Sequence, residues 1–278
     1  MRWLTTLATL TPLVVAAAHV QAQTQVFDAA SVRMNRSGFP GGMHGLGNGQ
    51  FSATNETLDR LLTVAYGLDI YRIVGGPAWI TRERFDVEAR ANANVSADET
   101  RLMVRAMLIE RFRLKARLES RVMPTYDLVM ARSDGRPGNR LRMASPAACV
   151  DRGPQPPRPP AGALPSCGVM PTGPERMSGR RISIDLLVTQ LASMTGRTVV
   201  NRTNLTGVFD VDLEWAMTEA QVAQLAVLTP PGGAPPVFDP TRPGLFTAIQ
   251  EQLGLRLMSS TGPVDVLVIE NAELPSEN

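Results

Sequence analysis

Histidine is nearly absent: the 278 residues hold only His19 and His44. His19 falls in a leader segment described below, which leaves His44. One imidazole excludes zinc sites built on two or three histidine ligands, and it restricts Ser-His-Asp chemistry to arrangements that use His44. No G-x-S-x-G elbow surrounds a serine, and no D-x-D-x-D-G loop offers a calcium site. Lysine is as scarce, with Lys115 alone, so arginine carries the basic charge. The balance of 28 basic against 26 acidic residues gives a net charge of +2. That lacks the basic excess of a dedicated nucleic-acid binder. Cysteine occurs twice, at Cys149 and Cys167. An even pair reads as a disulfide in an oxidising compartment, here closing a Pro-rich loop. A nucleophile or metal pair would need histidines that the chain lacks. The residues therefore nominate no catalytic group, no metal and no cofactor.

What is present is an ordinary globular mix, 44% hydrophobic and 19% charged, with length for one large domain or two small ones. Residues 1–22 read as a secretory signal. Arg2 supplies the positive start, Leu4 to Ala18 the apolar stretch, and Val20-Gln21-Ala22 the cleavage pattern, so the mature chain is expected from Gln23. The apolar stretch is short of the ~20 residues that a span requires, and no later stretch is long enough. Export to the periplasm or the extracellular space follows.

From Gln25 the chain alternates between strand and helix patterns. Gln25–Arg33 opens as a strand, and the Gly-rich Ser37–Gln50 reads as a surface loop rather than a phosphate cradle, because no helix follows it directly. A helix is expected from about Asn55 to Tyr66, with Leu58, Leu61, Leu62 and Ala65 inward. Strand Arg84–Arg90 precedes a second helix, Glu99–Phe112, capped by Asp98, with Leu102, Ala106 and Ile109, and Met103 beside them, as its buried stripe. Leu114–Leu118 and Thr125–Ala131 read as two strands. Residues 132–176 are Pro- and Gly-rich and read as a linker around the disulfide. The pattern then returns: helix Ile182–Met194 ended by Gly196, a short extended piece Thr198–Asn201, strand Val208–Glu214, a loose stretch Ala216–Pro243, and helix Leu245–Leu253 ended by Gly254. Strands Leu255–Met258 and Val264–Glu270 are expected to turn at Gly262-Pro263.

The two halves match. Phe85-Asp86-Val87-Glu88 corresponds to Phe209-Asp210-Val211-Asp212, Glu110–Leu114 to Glu251–Leu255, and Pro124–Val129 to Pro263–Val268. The expected fold is α+β: two similar lobes of helix and antiparallel sheet from an internal duplication, residues 23–131 and 177–278, joined by the Pro/Gly-rich segment.

Chemistry-bearing residues are few. Asp86 and Glu88, and Asp210, Asp212 and Glu214, fall on strand faces. They would suit a carboxylate pair for glycoside cleavage, though a solvated face opposite Phe85, Val87, Phe209 and Val211 explains the alternation. Arg105, Arg111, Arg113 and Arg117 are expected on an exposed helix-to-strand face. Tyr71, Trp79 and Trp215 form the candidate binding surface for a sugar or peptide; packing within the lobes is their ordinary role.

LLTVAYG, GGPAWITRERFDVEA, MLIERFRLKARLESRVMPTYDLVMA, GRTVVNRTNLTGVFDVDLEW and LFTAIQEQLGLRLMSSTGPVDVLVIENAELPSEN together resemble the soil-associated family of exported bacterial proteins, a domain of unknown function. The resemblance spans nearly the whole mature chain. It implies export, no established activity and no catalytic residues to carry over. Some relatives are attached to sensor-type membrane metallopeptidase regions, which implies signalling or ligand sensing. The Pro-rich disulfide loop is longer than the family pattern. LLVTQLASMTGRTVVNRTNLTGVFDVDL also resembles the small modules at the N-termini of secretins and TonB-dependent receptors, which bind proteins through sheet edges or lobe surfaces. The expectation is a non-enzymatic envelope module that binds or senses an envelope protein or glycan. The rivals are a carboxylate-dependent hydrolase of envelope polysaccharide or peptidoglycan, and a purely structural secreted protein.

Overall fold

The structure, a computed structural model, describes residues 26–37, 41–47, 49–92, 95–145, 147–153, 162–228, 239 and 241–276. The expected signal at 1–22 lies outside the described residues, as does part of the Pro-rich segment, 154–161. The fold is α+β with mainly antiparallel sheets. In chain order the elements are β1 (Ala29–Met34), β2 (Gly42–Gly47), β3 (Gln50–Thr57), α1 (Leu58–Tyr66), β4 (Ile73–Gly75), β5 (Arg84–Arg90), α2 (Ala97–Arg111), β6 (Lys115–Met130) and β7 (Leu141–Met143). They continue with β8 (Arg176–Ser183), α3 (Ile184–Thr195), β9 (Val199–Asn201), β10 (Val208–Glu214), α4 (Glu219–Leu228), α5 (Leu245–Ala248) and β11 (Leu255–Asn271).

Two compact units are interleaved along the chain. The first comprises the described residues within Met1–Tyr66, Glu83–Arg113 and Leu274–Asn278; the second those within Gly67–Arg82 and Leu114–Glu273.

In the first unit, β1-β5-β3-β2 form an antiparallel sheet. Helices α1 and α2 pack on each other and on this sheet. Phe51, Phe85, Leu58, Leu61, Leu62, Val104, Leu108 and Phe112 are almost wholly buried, and Phe85 and Phe112 meet edge to face at 5.0 Å. The inward face of α1 is the one its 3.6-residue spacing predicts. The Gly-rich segment expected as a loop contains β2 instead, paired to β3 through Gly42↔Thr54 and His44↔Ser52.

Helix α2 differs from expectation in both cap and face. Ser96 is the cap: its Oγ accepts from the Glu99 N–H at 3.2 Å, and the Glu99 carboxylate accepts from the Ser96 N–H at 2.7 Å. This capping box leaves Asp98 to pair with Arg101. Of the expected stripe Met103 is buried, but the buried face is Thr100, Met103, Val104, Met107 and Leu108, while Leu102 is 54% and Ile109 44% exposed. Apolar residues at 102–104 and 106–109 hold two overlapping helical stripes, so spacing alone does not choose between them. Packing on α1 selects the stripe one residue further round.

A strained step precedes α1. Asn55 takes φ +53 where the β3–β5 register shifts. The Asp86 carboxylate of β5 accepts the Asn55 N–H at 2.9 Å and the Asn35 side-chain amide at 2.7 Å, and Arg84 donates to the Asn55 carbonyl at 2.9 Å. The backbone polar groups of this bulge are thus satisfied on both sides.

The second unit holds two sheets, β4-β11-β6-β9 and β7-β10-β8. Strands β6 and β11 pair antiparallel along nearly their whole lengths. The turn expected at Gly262-Pro263 is absent: Pro263 pairs with Val122, and Pro124 with Thr261. Prolines are tolerated there because β9 pairs only with Tyr126–Leu128 and β4 only with Leu267–Ile269. Each proline therefore sits where its strand has no second neighbour needing an N–H. The core gathers Leu187 and Leu191 of α3, Phe209, Val211 and Leu213 of β10, and Ile249, Leu253 and Leu255.

Here too a bulge precedes a helix. Arg181 takes φ +54, its N–H is accepted by the Asp210 carboxylate at 3.2 Å, and α3 follows with Ser183 as its cap. Gly196 ends α3 in the left-handed region, as sequence predicts. Helix α4 occupies part of the stretch expected to be loose. Its start was legible in Thr218-x-x-Gln221, whose side chains cap each other's backbone N–H groups at 3.3 and 2.9 Å. Helix α5 runs on through a π-helical turn, Ile249–Leu253, to Gly254. That turn presents Gln252, whose side-chain amide both donates to the Glu214 carbonyl at 2.6 Å and accepts the Glu214 N–H at 3.0 Å. Gly138 packs so close that a Cβ there would lie 2.3 Å from the Gln252 carbonyl oxygen. The Cys149–Cys167 disulfide is formed.

Candidate functional site

A cleft of about 640 Å³ opens in the second unit. Tyr126 enters it from β6, Met194 and Thr195 from the last turn of α3, and Arg197 from just beyond that turn. Trp215 and Thr218 come from the segment after β10, and Phe246 and Thr247 from α5. The aromatic groups are fixed relative to one another. Tyr126 and Phe246 meet edge to face at 5.5 Å, and the Arg197 guanidinium lies 5.2 Å from the Tyr126 ring centroid. Phe246 remains 48% exposed, the one aromatic ring among the large apolar side chains exposed in the described residues. Thr172, Thr195, Thr218, Thr247 and Gln221 also line the cleft; the Thr195 hydroxyl donates to the Leu191 carbonyl at 2.7 Å, and the Thr218 and Gln221 side chains hydrogen-bond each other at 3.1 Å. No carboxylate lines the cleft among the described residues.

The three residues expected at a binding surface are placed differently from one another. Trp215 is 4% exposed; it belongs to the core cluster and is also among the residues lining the cleft. Its backbone N–H donates to the Glu175 carbonyl at 3.1 Å. Tyr71 sits in a 3₁₀ turn, Ile70–Arg72, and lines a separate cavity of about 170 Å³ with Arg197, Thr198, Pro124 and Val264. Its hydroxyl donates to Asp69 at 3.2 Å and lies 3.5 Å from the Thr198 hydroxyl. Burial pushes the Tyr71 hydroxyl pKa above its ordinary value. Trp79, half-buried in the turn Ala78–Thr81, lines neither cavity. Arg197 is common to both cavities, so it links the surroundings of Tyr71 and Trp215. Tyr126, Arg197 and Phe246 were missed in the sequence. Tyr126 sits in a strand pattern, Phe246 in a helix pattern, and Arg197 is one arginine among many; only tertiary pairing brings them together.

The alternating strand carboxylates of the second unit have structural partners. Glu214 meets Arg140 at 3.1 Å and Arg176 at 3.9 Å, Asp212 meets Arg180 at 3.1 Å, and Asp210 holds the Arg181 bulge. In the first unit Asp86 holds the Asn55 bulge. Two of the arginines expected on an exposed face also bind backbone: Arg105 caps the Ala65 carbonyl at 3.1 Å and covers the Tyr66 ring at 4.2 Å, and Arg111 donates to the Ala30 carbonyl at 3.1 Å. His44 falls in a row across the first unit's sheet, where register aligns Ser31, Glu88, Ser52 and His44 in turn. This row lines a shallow cavity of about 520 Å³. Ser52 stands between the imidazole and the carboxylate. Neighbouring Cβ atoms across strands are ~5 Å apart, so Glu88 is not placed to orient His44 as a triad acid would. Among the described residues, no group of three or more His, Cys, Asp or Glu side chains is arranged to hold a metal ion. No helix among them is long and apolar enough to cross a membrane.

A family model described as "Protein of unknown function (DUF3738)" matches residues 59–272. No curated protein and no solved structure matches the chain.

Proposed function

Because the chain belongs to this family of proteins of unknown function, we propose its role from its own surfaces: it is an exported, non-enzymatic module of the cell envelope that binds a glycan in the cleft of the second unit. The observation that carries this reading is the exposed Phe246 ring, set against Tyr126 in a cleft lined otherwise by threonines, Gln221 and Arg197. Sugar rings present C–H faces to aromatic rings and hydroxyls to such a rim, and a few polar groups around an apolar floor is the common composition of ligand sites. The partners already held by Asp210, Asp212 and Glu214 favour binding over carboxylate catalysis. Residues 1–22 serve as the leader, and export suits the Cys149–Cys167 bridge. The likeness to the soil-associated family and to secretin and TonB-receptor modules fits a binding or sensing role. Duplication of one helix-and-sheet pattern accounts for both bulges, each held by the aspartate of a Phe-Asp-Val strand.

The test is calorimetric titration of the oxidised protein with purified envelope glycan fragments, with product analysis of the same mixtures. Saturable binding that weakens about tenfold in Phe246→Ala and Tyr126→Ala, with the glycan intact, is the expected result. Progressive shortening of the glycan would overturn the non-enzymatic reading, and binding indifferent to both substitutions would overturn the site.

A further inference from the structure

We propose that the saccharide held in this cleft is acidic, and that a carboxylate-bearing sugar unit is recognised by Arg197. The inference rests on the cleft reading above and adds the charge of the ligand.

Several arginines of the second unit, among them Arg142, Arg181 and Arg256, form no ion pair among the described residues, and Arg197 is the one of these that lines the cleft. Around it in the second unit, Arg140 and Arg176 face Glu214, Arg180 faces Asp212, Arg202 faces Asp127, and Arg242 faces Glu175 and Asp239. Arg197 has no such carboxylate partner among the described residues, and the cleft it lines has none either. A guanidinium that stays exposed beside an aromatic floor keeps its planar fork of donors available to an incoming carboxylate.

Its backbone is also fixed. Gly196 ends α3 in the left-handed region, and the N–H groups of both Gly196 and Arg197 point to the Ala192 carbonyl. The side chain leaves this cap across the Tyr126 face, so the cation stands next to the ring pair that would take the sugar. Arg197 brings a full positive charge against the roughly half negative charge of the α3 carbonyl end, and the local field favours an anion. A uronic-acid unit places a carboxylate at the edge of the ring that stacks, where it can meet this exposed guanidinium.

The experiment titrates the oxidised protein with tetragalacturonate, with its neutral methyl ester, and with tetraglutamate as an acidic peptide of equal charge. Tetragalacturonate is expected to bind about tenfold tighter than the ester at low salt, with the difference shrinking as salt is added. Arg197→Gln should bring its affinity down to that of the ester, and Arg197→Lys should keep part of the preference. Thermal melting of both variants, at an exposed position, should match the parent. Equal binding of acid and ester, or an Arg197→Gln variant that keeps the preference, overturns the acidic inference. The cleft reading then stands as long as Phe246→Ala weakens both sugars. Tighter binding of tetraglutamate overturns the saccharide class. Absence of binding by both sugars, with Phe246→Ala silent, overturns the cleft reading and this inference together.

Discussion

Asp86 and Asp210 occupy strand positions where alternation predicts a solvated carboxylate, yet each holds a left-handed non-glycine residue just before a helix. Asp86 does more of this work, since its Oδ1 accepts both the Asn55 N–H and the Asn35 amide. Asp86→Ala strands these donors and should cost about 2 kcal/mol, read as a lower urea midpoint at unchanged slope. Asp134 acts at a turn instead. The Arg132 guanidinium, and next the Arg136 N–H, hold its carboxyl at about 2, below its ordinary 3.8. A depressed folded pKa makes the ionised form favour the fold. The contribution is therefore complete above the unfolded value of 3.8 and is lost as pH falls toward about 2. Melting temperatures of Asp134→Asn and the parent should differ at neutral pH and converge in that acid window.

Among the elements, α2 shows how far periodicity reaches. Its existence and approximate ends follow from apolar spacing, and its cap is written in Ser96-x-x-Glu99. Its orientation is not, because the helix carries two apolar stripes. Substitutions separate them: Leu108→Ala, fully buried, should cost 2–5 kcal/mol, while Leu102→Ala, 54% exposed, should stay within about 1 kcal/mol. Chemical denaturation of the pair decides which face is the core face. Strands β6 and β11 show the complementary limit. Proline and glycine read locally as breaks, but Pro124 and Pro263 lie within a continuous ladder, because a strand edge with no neighbour does not need the missing N–H.

The whole molecule joins two compact units whose segments alternate along the chain. Strand β6, before the Pro-rich segment, pairs with β11 near the other end of the sequence. Such long-range pairing closes large loops at an entropic cost, and the disulfide at a sequence separation of 18 offsets part of it. In the chain-entropy model that bridge contributes about 3 kcal/mol. Reduction should lower the urea midpoint by a corresponding amount, and Cys149→Ser with Cys167→Ser should make stability indifferent to reductant.

By itself the sequence determined the α+β class, the identity of most helices and strands, the cysteine pairing and the absence of histidine-rich chemistry. Each of these depends on local spacing, caps or composition, which neighbouring residues carry. Tertiary structure alone decided which stripe of α2 is buried, that β6 and β11 run unbroken past their prolines, and that Asp86 and Asp210 brace bulges. It also decided the candidate site. Tyr126, Arg197 and Phe246 are far apart in the chain and ordinary in their local patterns. They meet because β6, the end of α3 and the start of α5 pack around one core, and packing of distant segments is a property that no window of sequence contains.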